Sequence, residues 1–425
     1  MTEDFLYYLW MYHFVRKPLV TIDGLQLLLE KPGTKNNDSG PDFFDCRLKL
    51  GETRWAGNVE IHVKSSDWFR HGHHSDESYN NIILHVVYEN DKAVIRKSGE
   101  MVPCLELKGK FSETLYEKYK GFLLSTNWIP CASDITGVGN FSMLNTLDRI
   151  AVERLQQKAD TIQLELVESK GDFREVFYRS LMKSFGLKAN TDAFEQLALS
   201  LPLSVLSKHK LDLFQLEAML FGQAGLLKGN LAEEYPRKLK EEYLFLASKY
   251  NLTPMKAVVW KFMRMRPTNF PTLRIAQFAS LLFHSSGLID KILTAKSIKR
   301  VIELLRCEPS DYWKNHYRFG KSNKQKTSRM GLSFIHLILI NTIVPYAFVY
   351  GRFKNDPGME EKAVQWLEEI PPENNTITRH FELLGVKASS ALHTQALIRL
   401  KTGYCDQQRC LHCPIGHQIL NLSAQ

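Results

Sequence analysis

The chain has 425 residues, of which 44% are hydrophobic and 24% charged, a balance that is typical of a globular protein and excludes a largely disordered one. Lys and Arg outnumber Asp and Glu by 55 to 46, and the net charge of +9 is compatible with a polyanionic partner without establishing one. No run of about 18 apolar residues occurs, and the acidic N-terminus has no small-residue cleavage site, so we expect no membrane span, no secretory signal and a cytoplasmic location.

The chain changes its periodicity near residue 110. Before it, a helix is predicted over residues 3–16, followed by strands in the segments LQLLLEK, FFDCRLKL, TRWAGNVEIHVK, NIILHVVYE, AVIRK and CLELK. After it, the helical period dominates. The sequence therefore predicts an α+β fold: an N-terminal mixed-sheet domain (1–110), a large all-α domain (111–400), and a cysteine-rich end (401–425) packed on the helical domain.

Two acidic residues are predicted to meet at neighbouring strand ends in the sheet domain. Asp42 opens one strand, and a GET turn joins this strand in a hairpin to the next, which carries Glu60, His62 and Lys64 on one face. Two carboxylates held close together repel each other, and the usual remedy is a divalent cation. We therefore expect Asp42 and Glu60 to bind Mg²⁺ or Mn²⁺, with His62 or Lys64 acting on the attacking water or on a phosphate. The alternative is a solvated strand face on which Asp42 caps a turn.

This arrangement resembles the PD-(D/E)xK nuclease superfamily. Pro41-Asp42 matches the first part of the signature, and Glu60-Ile61-His62 stands where Glu-x-Lys would be. The resemblance implies a nuclease-like sheet domain in which the two acidic residues bind Mg²⁺. The departure is His62, because a mostly neutral imidazole does not replace a permanent cation. Lys64 can compensate from one pleat further along, and Glu30 can supply an additional acidic group.

A histidine-rich segment, DWFRHGHHSDESY, follows the second strand. One interpretation is that His71 or His74, together with Asp76, faces the same cleft and contacts a phosphate or a second metal, and a zinc site is a further possibility. The other is a polar loop that Trp68 and Tyr79 anchor. His85, within the apolar strand IILHVVY, is predicted to be a core histidine.

The stretch from GPDFFDCRLKL to IILHVVYEND resembles an uncharacterised bacterial family, domain of unknown function 2851. The resemblance continues through RMRPTNFPTLRIAQFA, YWKNHYRFG and the CxxC tail, and so covers nearly the whole chain. The family has no established activity, so the resemblance identifies relatives and implies no function.

Two basic segments of the helical domain are candidates for contact with nucleic acid. Arg264, Arg266 and Arg274 flank the turn PTNFP, where the alternative is a helix–helix corner fixed by Asn269 and the prolines. Residues 314–329 hold six Lys or Arg and no acidic residue. Phosphate contact by this second segment is one interpretation, and a solvated loop is the other. Its candidate contacts are Arg318, Lys321 and Lys324.

The spacing Cys405-x4-Cys410-x2-Cys413 indicates a structural metal, since a CxxC pair can hold one ion between two thiolates. The fourth ligand is expected to be His417 or a distant cysteine such as Cys131 or Cys307. Zinc fits three cysteines and a histidine, whereas a [4Fe–4S] cluster fits if a fourth thiolate is present. The alternative is a set of reduced, packed cysteines.

Taken together, these patterns favour an Mg²⁺-dependent nuclease or phosphodiesterase that acts on nucleic acid. The alternative is a non-catalytic nucleic-acid-binding protein or an assembly protein that uses a degenerate version of the same sheet. The sequence leaves open the choice between DNA and RNA and the oligomeric state.

Overall fold

The computed structural model describes residues 1–36, 38–285, 287–322 and 329–422. An N-terminal mixed sheet is followed by a mostly helical region, which confirms the predicted α+β fold class. The chain divides into two compact units. The sheet unit comprises Met1–Thr146, Leu383–Val386 and Ile398–Gln425, and the helical unit comprises Leu147–Glu382 and Lys387–Leu397. The cysteine-rich end belongs to the sheet unit, where Pro414–Leu422 contacts Glu113–Leu124, a helix that the sequence prediction assigned to the helical domain.

The described strands are β1 (Leu19–Val20), β2 (Gln26–Lys31), β3 (Thr34–Lys35), β4 (Phe43–Leu50), β5 (Thr53–Lys64), β6 (Ile82–Glu89), β7 (Cys104–Glu106), β8 (His316–Arg318) and β9 (Lys321–Ser322).

The described helices are α1 (Glu3–Met11), α2 (Asp67–Arg70), α3 (Glu113–Leu124), α4 (Asn140–Glu168), α5 (Phe173–Phe185), α6 (Thr191–Ser200), α7 (Leu203–Leu206), α8 (Leu213–Gln223), α9 (Glu234–Tyr250), α10 (Pro271–His284), α11 (Leu288–Leu293), α12 (Ile298–Leu305), α13 (Leu332–Ile338), α14 (Val344–Lys354), α15 (Pro357–Glu369), α16 (Thr376–Leu383), α17 (Ala391–Arg399) and α18 (Pro414–Leu422).

The main sheet has the strand order β1-β2-β4-β5-β6-β7, with β3 paired to β4. β4 and β5 form the antiparallel hairpin that the GET turn predicts, whereas β5, β6 and β7 run parallel. A parallel pair needs a crossover connection, and the histidine-rich segment with α2 supplies the one between β5 and β6. The segment AVIRK forms a single isolated bridge between Ile95 and Met101 instead of the predicted strand.

Helix α1 covers one face of the sheet at β5. The hydroxyl of Thr2 caps its first turn by accepting a hydrogen bond from the backbone N–H of Phe5, 3.4 Å away. Phe5, Leu6, Leu9 and Trp10 are buried, so the apolar side of α1 is held against the core and its first turn lies beside the end of β5.

One helical segment of the described residues, Leu332–Lys354, is long and apolar enough to cross a membrane by length and composition alone. It consists of α13, a π-helical turn at Leu339–Ile343 and α14. In its most apolar window 72% is buried inside the protein, as in a core helix. The expectation that no membrane is involved stays a prediction.

Candidate metal-binding site

The β4–β5 hairpin brings the two predicted carboxylates together. Phe43 pairs with Val59, so Asp42 lies beside Glu60. The backbone N–H of Asp42 donates to Oε2 of Glu60 at 3.0 Å, and the backbone N–H of Ile61 donates to Oδ2 of Asp42 at 2.9 Å. The antiparallel register thus fixes both side chains against each other's backbone.

Helix α1 adds two groups to this pair. The hydroxyl of Tyr7 donates to Oδ1 of Asp42 at 2.8 Å. The Glu3 carboxyl, half-buried in the first turn of α1, interacts electrostatically with both Asp42 and Glu60. The site therefore collects three carboxyl groups: Glu3 from α1, Asp42 from the residue before β4, and Glu60 from β5.

The carboxyl groups are held in a setting that disfavours their charge. Burial, followed by repulsion from Glu60, raises the pKa of Asp42 to about 6. Burial is the main cause that raises the pKa of Glu60 to about 8; the hydrogen bond from Asp42 opposes this shift, and the nearby Glu3 contributes to it. A bound cation would relieve both the burial cost and the repulsion.

Three histidines complete the cluster. Nε2 of His62 lies 3.6 Å from Oε1 of Glu60 and 3.1 Å from Nδ1 of His71. Nε2 of His73 lies 3.2 Å from the same Oε1 of Glu60. Each of the three histidines places a ring nitrogen within 4.8 Å of the other two, and Glu60 adjoins the group.

The crossover segment holds His71 and His73 in place. Gly72 separates them with a φ of 79°, a left-handed conformation that favours glycine and turns both imidazoles toward β5. The His73 ring stacks on Tyr79 with the ring centroids 3.8 Å apart. Trp68 and Tyr79 belong to a buried core cluster, so the predicted anchors of this loop are also its hydrophobic core.

His85 supports His62 from the neighbouring strand. The parallel register pairs Glu60 with His85, and Nε2 of His85 lies 2.8 Å from Nδ1 of His62. Burial first, then the nearby His85, His73 and His71, holds the pKa of His62 far below its ordinary value. His62 is therefore neutral at physiological pH, the form that binds metals.

Two ring nitrogens of this cluster are buried without a hydrogen bond among the described residues: Nε2 of His73 and Nδ1 of His85. Unsatisfied buried polar atoms are rare and point to a missing partner such as an ion or a water molecule. Two ligand atoms that each lie about 2.1 Å from one ion are about 3.0–3.4 Å apart. The 3.1 and 3.2 Å separations match this range, and the 3.6 Å separation lies just beyond it.

Other predicted residues of the sheet unit lie outside the cluster. Lys64 is exposed, and its backbone N–H donates to Oδ2 of Asp67 at 3.1 Å. His74 is exposed and its ring packs on Phe69. Glu30 forms an ion pair with Arg54 at 3.1 Å, so the additional acidic group beside Asp42 is Glu3 and not Glu30.

Sequence reasoning missed Glu3, Tyr7 and His73 and treated His85 only as a core residue. The available signal was the position of Glu3 and Tyr7 one helical turn apart at the start of the chain. Nothing local to the sequence indicated which strand or helix they would face.

The basic residues of the helical unit divide into exposed and buried ones. Arg264, Arg266, Arg318 and Lys321 are exposed, and the Arg318 guanidinium lies 4.5 Å from the centre of the Phe262 ring, which brings the two basic segments together. Lys324 lies outside the described residues.

Arg274 does not fit the predicted contact with nucleic acid, because it is only 5% exposed. Its two amino groups donate to Gln277 at 2.8 Å and to Asn269 at 2.7 Å, and its guanidinium lies 3.4 Å from the centre of the Phe334 ring. The alternative interpretation, a structural corner that involves Asn269, describes Arg274 better.

The C-terminal candidates lie together in the sheet unit, with one exception. Cys405, Cys410 and Cys413 approach Cys131, whereas Nδ1 of His417 lies 3.0 Å from the hydroxyl of Tyr8 and its ring packs on Tyr12. Cys307 lies in the helical unit, where its thiol donates to the carbonyl of Gln277 at 3.3 Å.

The family model described as "Protein of unknown function (DUF2851)" matches residues 3–376 of the chain. No curated protein and no solved structure matches the chain. The matched range contains the whole of the histidine and carboxylate cluster and ends before the three C-terminal cysteines.

Proposed function

The chain belongs to the DUF2851 family, and we propose that it is a divalent-metal-dependent phosphodiesterase that acts on nucleic acid. The observation that carries the proposal is the approach of Nε2 of His73 to Oε1 of Glu60, at 3.2 Å, without a hydrogen bond between them. When an imidazole nitrogen and a carboxylate oxygen both direct a lone pair toward the same metal ion, they lie close together without forming a hydrogen bond. The second carboxylate, Asp42, lies directly beside them.

The donor set favours a transition metal. Mg²⁺ prefers oxygen ligands in a near-octahedral shell, whereas imidazole suits zinc and other first-row transition ions. With three imidazoles beside Glu60, we expect Mn²⁺ or Zn²⁺ to bind more tightly than the Mg²⁺ that the carboxylates alone would predict. Such an ion lowers the pKa of a water molecule and neutralises charge that develops on a phosphate.

The surrounding residues position the ligands. His85 contacts the ring nitrogen of His62 that points away from Glu60, and a contact of this kind fixes the orientation of a ligating imidazole. Tyr7 and the backbone of Ile61 each donate to one oxygen of Asp42. These contacts hold the Asp42 carboxyl group in place, and both favour its charged form.

The open side of the cluster is the side of His71. Glu60, His62 and His73 are buried, whereas His71 is exposed and is followed by the half-buried Gly72. A phosphate would therefore approach over His71, where the exposed Arg70 also lies. This direction keeps a role for His71 in substrate contact, in addition to its place in the metal site.

A polyanionic substrate is supported by the helical unit. The exposed Arg264, Arg266, Arg318 and Lys321 lie on two segments that the Arg318–Phe262 contact joins. Exposed arginine and lysine side chains near an aromatic ring suit contact with a phosphate backbone.

The decisive experiment is a cleavage assay on plasmid, single-stranded DNA and RNA with Mn²⁺, Zn²⁺ or Mg²⁺. We expect cleavage that chelation abolishes and that is lost in Glu60→Gln and His73→Gln. The control Glu30→Gln, on strand β2 of the same sheet, is expected to cut normally. Salt-dependent binding without cleavage under any of these ions would overturn the catalytic proposal and support the non-catalytic alternative.

A further inference from the structure

The C-terminal CxxC motif has a fourth cysteine beside it. Electrostatic interaction links the thiols of Cys131, Cys405, Cys410 and Cys413 in every pairwise combination. All four belong to the sheet unit, and none of them forms a disulfide.

The backbone around these residues is built to hold them together. The turn after the π-helical segment Leu400–Cys405 is closed by a bond from the N–H of Gln408 to the carbonyl of Cys405 at 3.1 Å. The N–H of Cys413 donates to the carbonyl of Cys410 at 3.3 Å, and α18 begins at the next residue. A Cβ at Gly416 would lie 2.2 Å from the Cys410 carbonyl oxygen, so only glycine lets α18 approach this turn so closely.

Two further contacts join this turn to the segment that carries Cys131. The side-chain amide of Gln408 donates to the carbonyl of Leu123 at 3.3 Å. The Lys401 ammonium lies 5.0 Å from the centre of the Trp128 ring. The segment that precedes Cys131 is therefore in direct contact with the turn that carries the C-terminal cysteines.

The surroundings fit a ligand that neutralises thiolates. Cys131, Cys410 and Cys413 are buried, and Cys405 is half-buried. A metal would offset the cost of ionising several buried thiols in one place.

The spacing separates two kinds of metal. A tetrahedral Zn²⁺ with bonds of about 2.3 Å holds its sulfurs about 3.8 Å apart, whereas a cubane binds each sulfur to a different iron and spreads them more widely. Among the described residues, three or more ligand atoms lie within 4.8 Å of one another at the histidine cluster and not at the cysteines. The cysteine sulfurs are therefore spaced more widely than a tetrahedral zinc site requires, and this spacing favours a [4Fe–4S] cubane.

We infer that Cys131, Cys405, Cys410 and Cys413 bind a [4Fe–4S] cluster that fastens the C-terminal segment to the rest of the sheet unit. Of the candidates for the fourth ligand, Cys131 is the one assigned, because His417 instead contacts Tyr8 of α1 and the following Tyr12. This inference does not depend on the proposed phosphodiesterase activity.

The test is the metal content of the full chain purified without oxygen. We expect four iron atoms and four sulfides per chain, the broad visible absorbance of a cubane, and an electron paramagnetic resonance signal after reduction. Stoichiometric zinc, or no bound metal, would overturn the inference.

Variants then test the ligands. Cys131→Ser is expected to lose its iron as Cys410→Ser does, while His417→Gln and the control Cys104→Ser keep theirs. Cys104 is a suitable control because it is half-buried in the same unit, at the start of β7 and 3.7 Å from the amide oxygen of Asn90. Full iron content in a folded Cys131→Ser variant would show that Cys131 is not a ligand.

A measurement without variants covers the case in which Cys131→Ser does not fold. Alkylation of the native protein, read by mass spectrometry, should modify the four proposed ligands only after a chelator has removed the iron. Cys104 should react to the same extent before and after. Equal alkylation of Cys131 and Cys405 with and without the chelator would also overturn the inference.

Discussion

Nε2 of His73 lies 3.2 Å from Oε1 of Glu60 and forms no hydrogen bond with it. The two residues come from different parts of the sheet unit, Glu60 from β5 and His73 from the crossover that follows it. Their approach brings an imidazole of the crossover to the strand that also carries His62.

The first prediction concerns Glu60→Gln. Because the pKa of Glu60 is about 8 in the metal-free fold, its carboxyl group is mostly protonated at pH 7, and glutamine is a close replacement. We expect the metal-free variant to unfold near the wild-type temperature but to lose the stabilisation by Mn²⁺ or Zn²⁺, which is about 2.7 kcal/mol at a hundredfold excess over Kd. Thermal unfolding with and without metal measures both effects, with Glu30→Gln as control. An undiminished metal response would show that Glu60 is not a ligand.

The second prediction compares two adjacent histidines. His73→Gln removes a buried ring nitrogen that faces Glu60, whereas His74→Gln changes an exposed ring on the same short 3₁₀-helix. Mutation of a residue that only hydrogen-bonds to a metal ligand typically lowers metal affinity by about 10–100-fold. Loss of a ligand itself, in His73→Gln, should therefore weaken Mn²⁺ and Zn²⁺ binding by more than about tenfold. Isothermal titration calorimetry measures the affinities. Equal affinities of the two variants would place the ion elsewhere.

The sequence predicts the part of the metal site that lies on the β4–β5 hairpin, namely Asp42, Glu60 and His62. A tight turn fixes the register of β4 against β5, so Asp42 must lie near Glu60, and the period of two places His62 on the face of Glu60. The same period of two predicts that Lys64 shares a face with Glu60 and His62. Lys64 is the last residue of β5 and is exposed, so it is not part of the cluster.

The rest of the site, His73, His85 and Glu3, depends on long-range contacts that no local sequence pattern predicts. His73 arrives through a crossover whose path is set by Trp68 and Tyr79 in the core, and His85 arrives through the parallel register of β6. Glu3 reaches the site only because α1 packs on β5. Cys131 was one of two distant cysteines that spacing alone could not separate.

The third prediction separates the two metal assignments through His62→Lys, which restores the Glu-x-Lys pattern of the nuclease superfamily. If three imidazoles hold a transition ion, the lysine removes one ligand and places an ammonium group near Glu60, so binding of Mn²⁺ and Zn²⁺ should be lost. If Asp42 and Glu60 alone hold Mg²⁺, the variant should retain Mg²⁺-dependent cleavage. We expect the first result. Cleavage by the variant with Mg²⁺, at or above the wild-type level, would contradict it.

The fourth prediction concerns pH and the helical unit. Glu217 is fully buried, its Oε2 accepts hydrogen bonds from Tyr235, Ser310 and Trp313, and its Oε1 forms none among the described residues. Burial raises its pKa from 4.5 to about 7. Between these values the folded state holds a proton that the unfolded state has lost, so this group lowers the free energy of unfolding as pH rises.

The raised pKa of Glu217 also sets the expected size of this loss of stability. At about 1.4 kcal/mol per pKa unit, the loss from Glu217 between pH 4.5 and pH 7 is about 3 kcal/mol. Glu217→Gln should lack this decline, whereas the exposed Glu234→Gln should follow the wild-type profile. The melting temperature, measured from pH 4.5 to pH 8, checks the prediction. Parallel profiles for wild type and Glu217→Gln would contradict it.

The last prediction separates structural from nucleic-acid-binding arginines. Arg274→Ala removes two hydrogen bonds and the contact with Phe334 from a buried position, so we expect it to lower the free energy of unfolding by about 2–3 kcal/mol. The exposed Arg266→Ala should change stability by less than about 0.5 kcal/mol. If Arg266 contacts a phosphate, its loss should weaken nucleic-acid binding and reduce the salt dependence of log K by about one. Chemical denaturation and binding titrations at several salt concentrations measure the two effects. An unchanged salt dependence in both Arg266→Ala and Arg318→Ala would mean that this surface does not bind the phosphate backbone, whatever the outcome of the cleavage assay.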